Sequence, residues 1–132
     1  MTQRNIDTMD IIVNKIADGA KLSEALKFVY DKRNVCIPYV ETNFDESLMS
    51  LGMTSRTTNA LMRAGLRTIG DVVNYCNTQK ITTIKTLGNH SGIEVFETIL
   101  DYCWECMSYK EKATFLIDTV ERNSINLRKE IA

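Results

Sequence analysis

Residues 91–107 read SGIEVFETILDYCWECM, and their spacing decides the fold class. Ile93, Phe96, Leu100, Cys103 and Met107 alternate by three and four, with Glu94, Glu97, Asp101 and Glu105 mostly between them. That is the pattern of a helix with one buried stripe and one wet face. Working outward, Met9, Ile12, Val13 and Ile16 repeat the spacing, as do Ala113, Leu116, Ile117 and Val120. Both predict amphipathic helices, over 6–18 and 110–122, and stripes of this kind usually pack into a core. Gly19 is a stop for the first helix, and Ser23 is a cap for a second over 23–33 carrying Leu26, Val29 and Tyr30. Thr54 caps a short helix through Arg63, Gly65 stops it, and Thr68-x-x-Asp71 opens the next as a capping box. Ser91-x-x-Glu94 and Ser108-x-x-Glu111 read as two further boxes. Val35 to Phe44, around the single proline Pro38, reads as extended, and Val35–Tyr39 is the one strand candidate. With no sustained alternation, repeat or linker, the chain is expected to be all-α.

The composition fits a soluble domain. The 132 residues are 44% hydrophobic and 25% charged, with six glycines, a profile that argues against a disordered or fibrous chain. The longest aliphatic run, Ile11–Val13, is far short of the ~18 residues a membrane span needs. The first residues lack the charged-then-apolar layout of an export signal. A cytoplasmic location is therefore expected, with the four cysteines as thiols.

Net charge is −1, from 16 basic and 17 acidic residues, and its distribution matters more than its sum. Between residues 48 and 80, Arg56, Arg63, Arg67 and Lys80 face only Asp71, whereas from 81 to 107 Lys85 is outnumbered by Glu94, Glu97, Asp101 and Glu105. The middle of the chain is basic first and acidic afterwards. A broad polycationic surface is excluded, but a small basic contact is not.

Catalysis finds little support. His90 is the one imidazole, and there is no phosphate loop carrying Lys-Ser/Thr, no GxSxG and no HExxH. The expectation is a non-enzymatic protein without cofactor or metal. Cys103-x-x-Cys106 could suggest zinc, but a knuckle needs two close pairs, and Cys36 and Cys76 are solitary. On a periodic helix Cys103 reads as a small core residue with Cys106 on a flank.

Two glycine-bearing turns feed helix starts: Arg63-Ala-Gly-Leu-Arg-Thr-Ile-Gly-Asp-Val and Thr86-Leu-Gly-Asn-His-Ser-Gly-Ile-Glu-Val. Helix starts expose unpaired N–H groups at the positive end of the dipole, where a phosphate oxygen can bind, although such glycines and serines also serve simply as caps. With Leu51-Gly-Met-Thr-Ser-Arg-Thr-Thr-Asn-Ala-Leu before them, these motifs resemble, in order and spacing, the C-terminal domain of the bacterial RNA polymerase alpha subunit, over about residues 48–103. The resemblance implies a compact bundle of short helices with helix-hairpin-helix character, extended here by N-terminal and C-terminal helices. It also implies the division 1–47 as an N-terminal helical extension, 48–107 as the module, and 108–132 as a C-terminal helix.

By the same resemblance, Arg56 is the arginine that enters the minor groove of A/T-rich DNA, and Asn59 assists it. Gly88, Ser91 and Glu94 match the positions that meet the phosphate backbone and orient the arginine. A narrow A/T groove has enhanced negative potential, and a guanidinium reads that width without a base code. This sequence departs from the family pattern at Asn89 and His90, where lysines are usual; His90 can substitute for such a cation when protonated. Residues 1–47 are too short for the alpha subunit's own amino-terminal domain, so the protein is not expected to be that subunit. Two functions follow. One is a DNA-binding accessory or regulatory protein of transcription, using Arg56, Asn59, Gly88, His90, Ser91 and Glu94. The other is a protein-interaction module that engages transcription machinery with DNA binding weakened or lost. A homodimer through the terminal helices would raise the affinity of the first.

Overall fold

The computed structural model describes residues 1–30, 43–79, 81–85 and 87–128. Among these the protein is all-α. Its helices are α1 (Gln3–Ala17), α2 (Leu22–Val29), α3 (Ser55–Arg63), α4 (Ile69–Thr78), α5 (Gly88–Cys106) and α6 (Tyr109–Arg122). Short 3-10 turns at Leu48–Leu51 and Ile81–Thr83 and two isolated bridges, Tyr30 with Leu127 and Ser47 with Thr68, complete the regular structure of the described residues. None of the described helices is long and apolar enough to cross a membrane. The strand candidate Val35–Tyr39 lies outside the described residues, as does the extended segment Val35–Phe44 apart from Asn43 and Phe44, which are in a turn and not extended. The helices fall into two units, one holding α1, α2 and α6, the other α3 to α5 with both 3-10 turns.

In the first unit α1 packs on α2 and α6. Its inward face is Asn5, Thr8 and Ile12, not the full apolar stripe read from the sequence. Ile12 is buried as expected, but Val13 is 45% exposed and Ile6 42%. Burying Thr8 is tolerable because its hydroxyl donates to the Arg4 carbonyl (2.8 Å), leaving no unpaired polar group. The same device rotates α6, which buries Phe115, Leu116, Thr119 and Val120. There Thr119 Oγ1 donates to the Phe115 carbonyl (2.7 Å), and Ala113 is exposed. Gly19 does stop α1, with a φ of +104°, and the Ser108–Glu111 box does open α6. Ser23 is not a cap: α2 starts one residue earlier, after Lys21, and Ser23 is buried within it. At the other end of α2, Arg128 Nε donates to the Lys27 carbonyl (2.8 Å) and the Tyr30 carbonyl (3.3 Å), satisfying acceptors that the helix terminus leaves open.

The second unit closes over Leu48, Leu61, Ile69, Val72, Leu87, Val95, Ile99, Leu100 and Cys103. Thr54 caps α3. Gly65, at φ +82°, turns the backbone, and Leu66 N–H bonds back to the Leu61 carbonyl (3.0 Å). Thr68 and Asp71 then form the expected capping box of α4. Gly70 carries a separate constraint, because a Cβ there would run into the Phe44 ring. The long helix α5 buries Gly92, Val95, Ile99, Leu100 and Cys103, so its stripe is shifted from the one read in the sequence, with Ile93 and Phe96 only half-buried.

Candidate nucleic-acid interface

Arg56 is the second residue of α3, in the turn that the Thr54 cap opens, and is exposed. Asn59 follows at i+3, on the same face, and is also exposed. Arg63 continues that face at i+7. Its Nε donates to the Asn59 carbonyl (3.4 Å), which folds the side chain back along α3.

The second component is the start of α5. The helix begins at Gly88, three residues ahead of the position read from the sequence, so Ser91 lies inside it and Ser91–Glu94 is not a capping box. Gly88 has a φ of +75°, with open space where a Cβ would stand. The requirement for glycine is therefore conformational. Asn89 and His90 are exposed in this first turn, and Ser91 is half-buried.

Freed from a local cap, Glu94 reaches α3. Its carboxylate accepts from the Thr54 amide (2.9 Å) and lies 3.0 Å from the Thr54 hydroxyl. It also accepts from the Thr57 hydroxyl. Thr57 is wholly buried, so its hydroxyl needs this acceptor. Partial burial alone would raise the Glu94 pKa, but the Thr57 hydroxyl and the Thr54 amide and hydroxyl outweigh it and hold the carboxyl below the ordinary range. Charged Glu94 thus faces the positive end of α3. It bonds to the turn that carries Arg56, and no bond joins it to the guanidinium among the described residues. The structure therefore brings together Glu94 and the turn bearing Arg56, with Asn59 on the same α3 face and Gly88, His90 and Ser91 in the α5 turn preceding Glu94.

The resemblance implied an orienting role for Glu94, but sequence reasoning missed Thr57 as its partner, because a bond across 37 positions leaves no local signal. It also left Arg63 without a role. Arg67 is differently placed. Its backbone amide donates to Asp71 (2.9 Å), the leading cause of the lowered Asp71 pKa, to which the Arg67 charge also contributes. Its Nη1 lies 3.8 Å from Met62 Sδ.

Cys103 is buried, and burial pushes its thiol up to about 12, far from a reactive thiolate. Cys106 is exposed on the flank. No group of three or more potential metal ligands exists among the described residues.

Residues 39–101, just under half of the sequence, match the family of the C-terminal domain of the bacterial RNA polymerase alpha chain. The resemblance read from the motifs thus holds over the segment that contains α3, α4 and most of α5. No curated protein and no solved structure matches the sequence.

Proposed function

We propose that the protein is a non-enzymatic DNA-binding protein of transcription whose module contacts the minor groove of A/T-rich DNA. The observation that carries this reading is the Glu94 bond to the Thr54–Thr57 turn, inside the segment that resembles a polymerase domain. In this reading Arg56 enters the groove, Asn59 supports it, and the α5 start takes a phosphate oxygen on the N–H groups of its first turn at Gly88 and His90 and on the Ser91 hydroxyl. Glu94 holds the Arg56 turn and does not touch DNA. The protein acts in the cytoplasm. Dimerisation through the terminal helices, for which the exposed Ile6 and Val13 of α1 offer apolar surface, would raise its affinity.

The test is fluorescence anisotropy on an A/T-rich and a G/C-rich duplex across a salt series. Native protein should prefer the A/T duplex, and Arg56→Ala should lose that preference. Equal behaviour of the two proteins would remove Arg56 from the site. A second reading, an interaction module for transcription machinery, draws on Met49, which is 74% exposed beside the module's first turn, and on the absence of lysine at Asn89 and His90. A partner that co-purifies after nuclease treatment and is lost in Met49→Asp would favour it.

A further inference from the structure

We infer that Arg63 is a second DNA-contacting residue, a phosphate contact that supplies on α3 the cation missing from the loop before α5; this rests on the minor-groove reading above. Seven residues of helix separate the Arg56 and Arg63 backbones by about 10 Å along α3, and the Nε bond to Asn59 draws the Arg63 guanidinium back toward the border of a groove ~6 Å wide. With Arg56 in the groove and α3 laid across it, Arg63 meets the phosphates on the groove's border.

Three observations support the assignment. Arg63 shares the exposed face of Arg56 and Asn59. Its Nε is committed to the Asn59 carbonyl, which aims the guanidinium along that face and leaves its two terminal amino groups to donate outward as a fork. Among the described residues no carboxylate pairs with it, whereas Arg67 stands beside Asp71. A phosphate contact carries no sequence information. Arg63 should therefore add affinity without altering the A/T preference.

The experiment measures anisotropy with the 132-residue protein on both duplexes. Each neutralised phosphate contributes about 0.9 to the slope of log affinity against log salt, so the Arg63→Ala deficit should shrink about 3.5-fold between ~50 and ~200 mM salt. The deficit should be equal on both duplexes, and Arg63→Lys should recover most of it. Lys110→Ala, which removes one positive charge from the exposed first turn of α6, should leave the slope unchanged. A native slope in Arg63→Ala, or an equal change in Lys110→Ala, overturns the assignment. If Arg56→Ala still destroys the A/T preference in that case, the groove reading stands without Arg63. If Arg56→Ala binds as the native protein does while Arg63→Ala flattens the slope, Arg63 is a phosphate contact and the groove reading falls.

Discussion

At the scale of single residues, Thr57 and Glu94 form the bond that joins α5 to the turn carrying Arg56. Thr57→Val keeps the shape and removes the donor, leaving a half-buried carboxylate with one partner fewer. Losing such a bond costs about 1–3 kcal/mol. Urea unfolding should show that loss for Thr57→Val and little of it for Thr57→Ser. The A/T preference should weaken with it if the turn is what sets Arg56. Acid should act on the same bonds. Glu94 and Asp71 both have folded-state pKa values below their ordinary ones, so their contribution to stability is complete above the ordinary carboxylate pKa. It is lost as pH falls through the lowered values. A series of urea midpoints on acidification should decline there, with a shallower decline in Glu94→Gln. Signals confined to four residues, such as the Thr54 cap and the Thr68–Asp71 box, were legible in the sequence because both partners lie within one turn. The Thr57–Glu94 bond was not, since only the tertiary fold brings the two together.

At the scale of elements, the existence of the helices was legible and their rotation was not. Threonines at Thr8 and Thr119 satisfy their own hydroxyls within the helix, so they can face inward, and the apolar stripe then turns partly toward solvent. The consequence is measurable on α1. Ile12→Ala should cost about 2–5 kcal/mol as a core truncation, whereas Val13→Ser, on a partly exposed flank, should stay within about 0.5 kcal/mol. A reading from the sequence alone would have made the two equal. The glycines of the module separate in a similar way. Gly70→Ala meets the Phe44 ring and should lose about 1–3 kcal/mol through overpacking. Gly88→Ala meets nothing and should lose about 1–2 kcal/mol through left-handed backbone strain alone. Thermal unfolding of the two variants, each combined with Phe44→Ala, tells the mechanisms apart, since the second change relieves only the Gly70 variant.

At the scale of the whole molecule, charge and connectivity decide behaviour. The total of −1 hides the arginines of α3 and the carboxylates of α5, and one of those carboxylates, Glu94, is turned inward to α3. On the proposed function, that charge distribution predicts DNA binding through few phosphates and a shallow salt dependence. Connectivity was less legible. The helix stripes gave no indication that α6 shares a unit with α1 and α2, because stripe periodicity says which face is buried and not against which element.

That sharing orders events in time. Tyr30 bridges to Leu127, and Arg128 closes the end of α2. Both partners, like α6 itself, are synthesised after the whole module. Roughly ninety residues separate the end of α2 from the end of α6, which the ribosome needs about 5–20 s to add at ~5–20 residues per second. Throughout that interval the nascent α1 and α2 have no α6 to cover them, and the module has every helix of its own core before α6 begins. The unit of α1, α2 and α6 is the last to be complete, and the Phe115, Leu116 and Val120 face of α6 is the piece for which it waits.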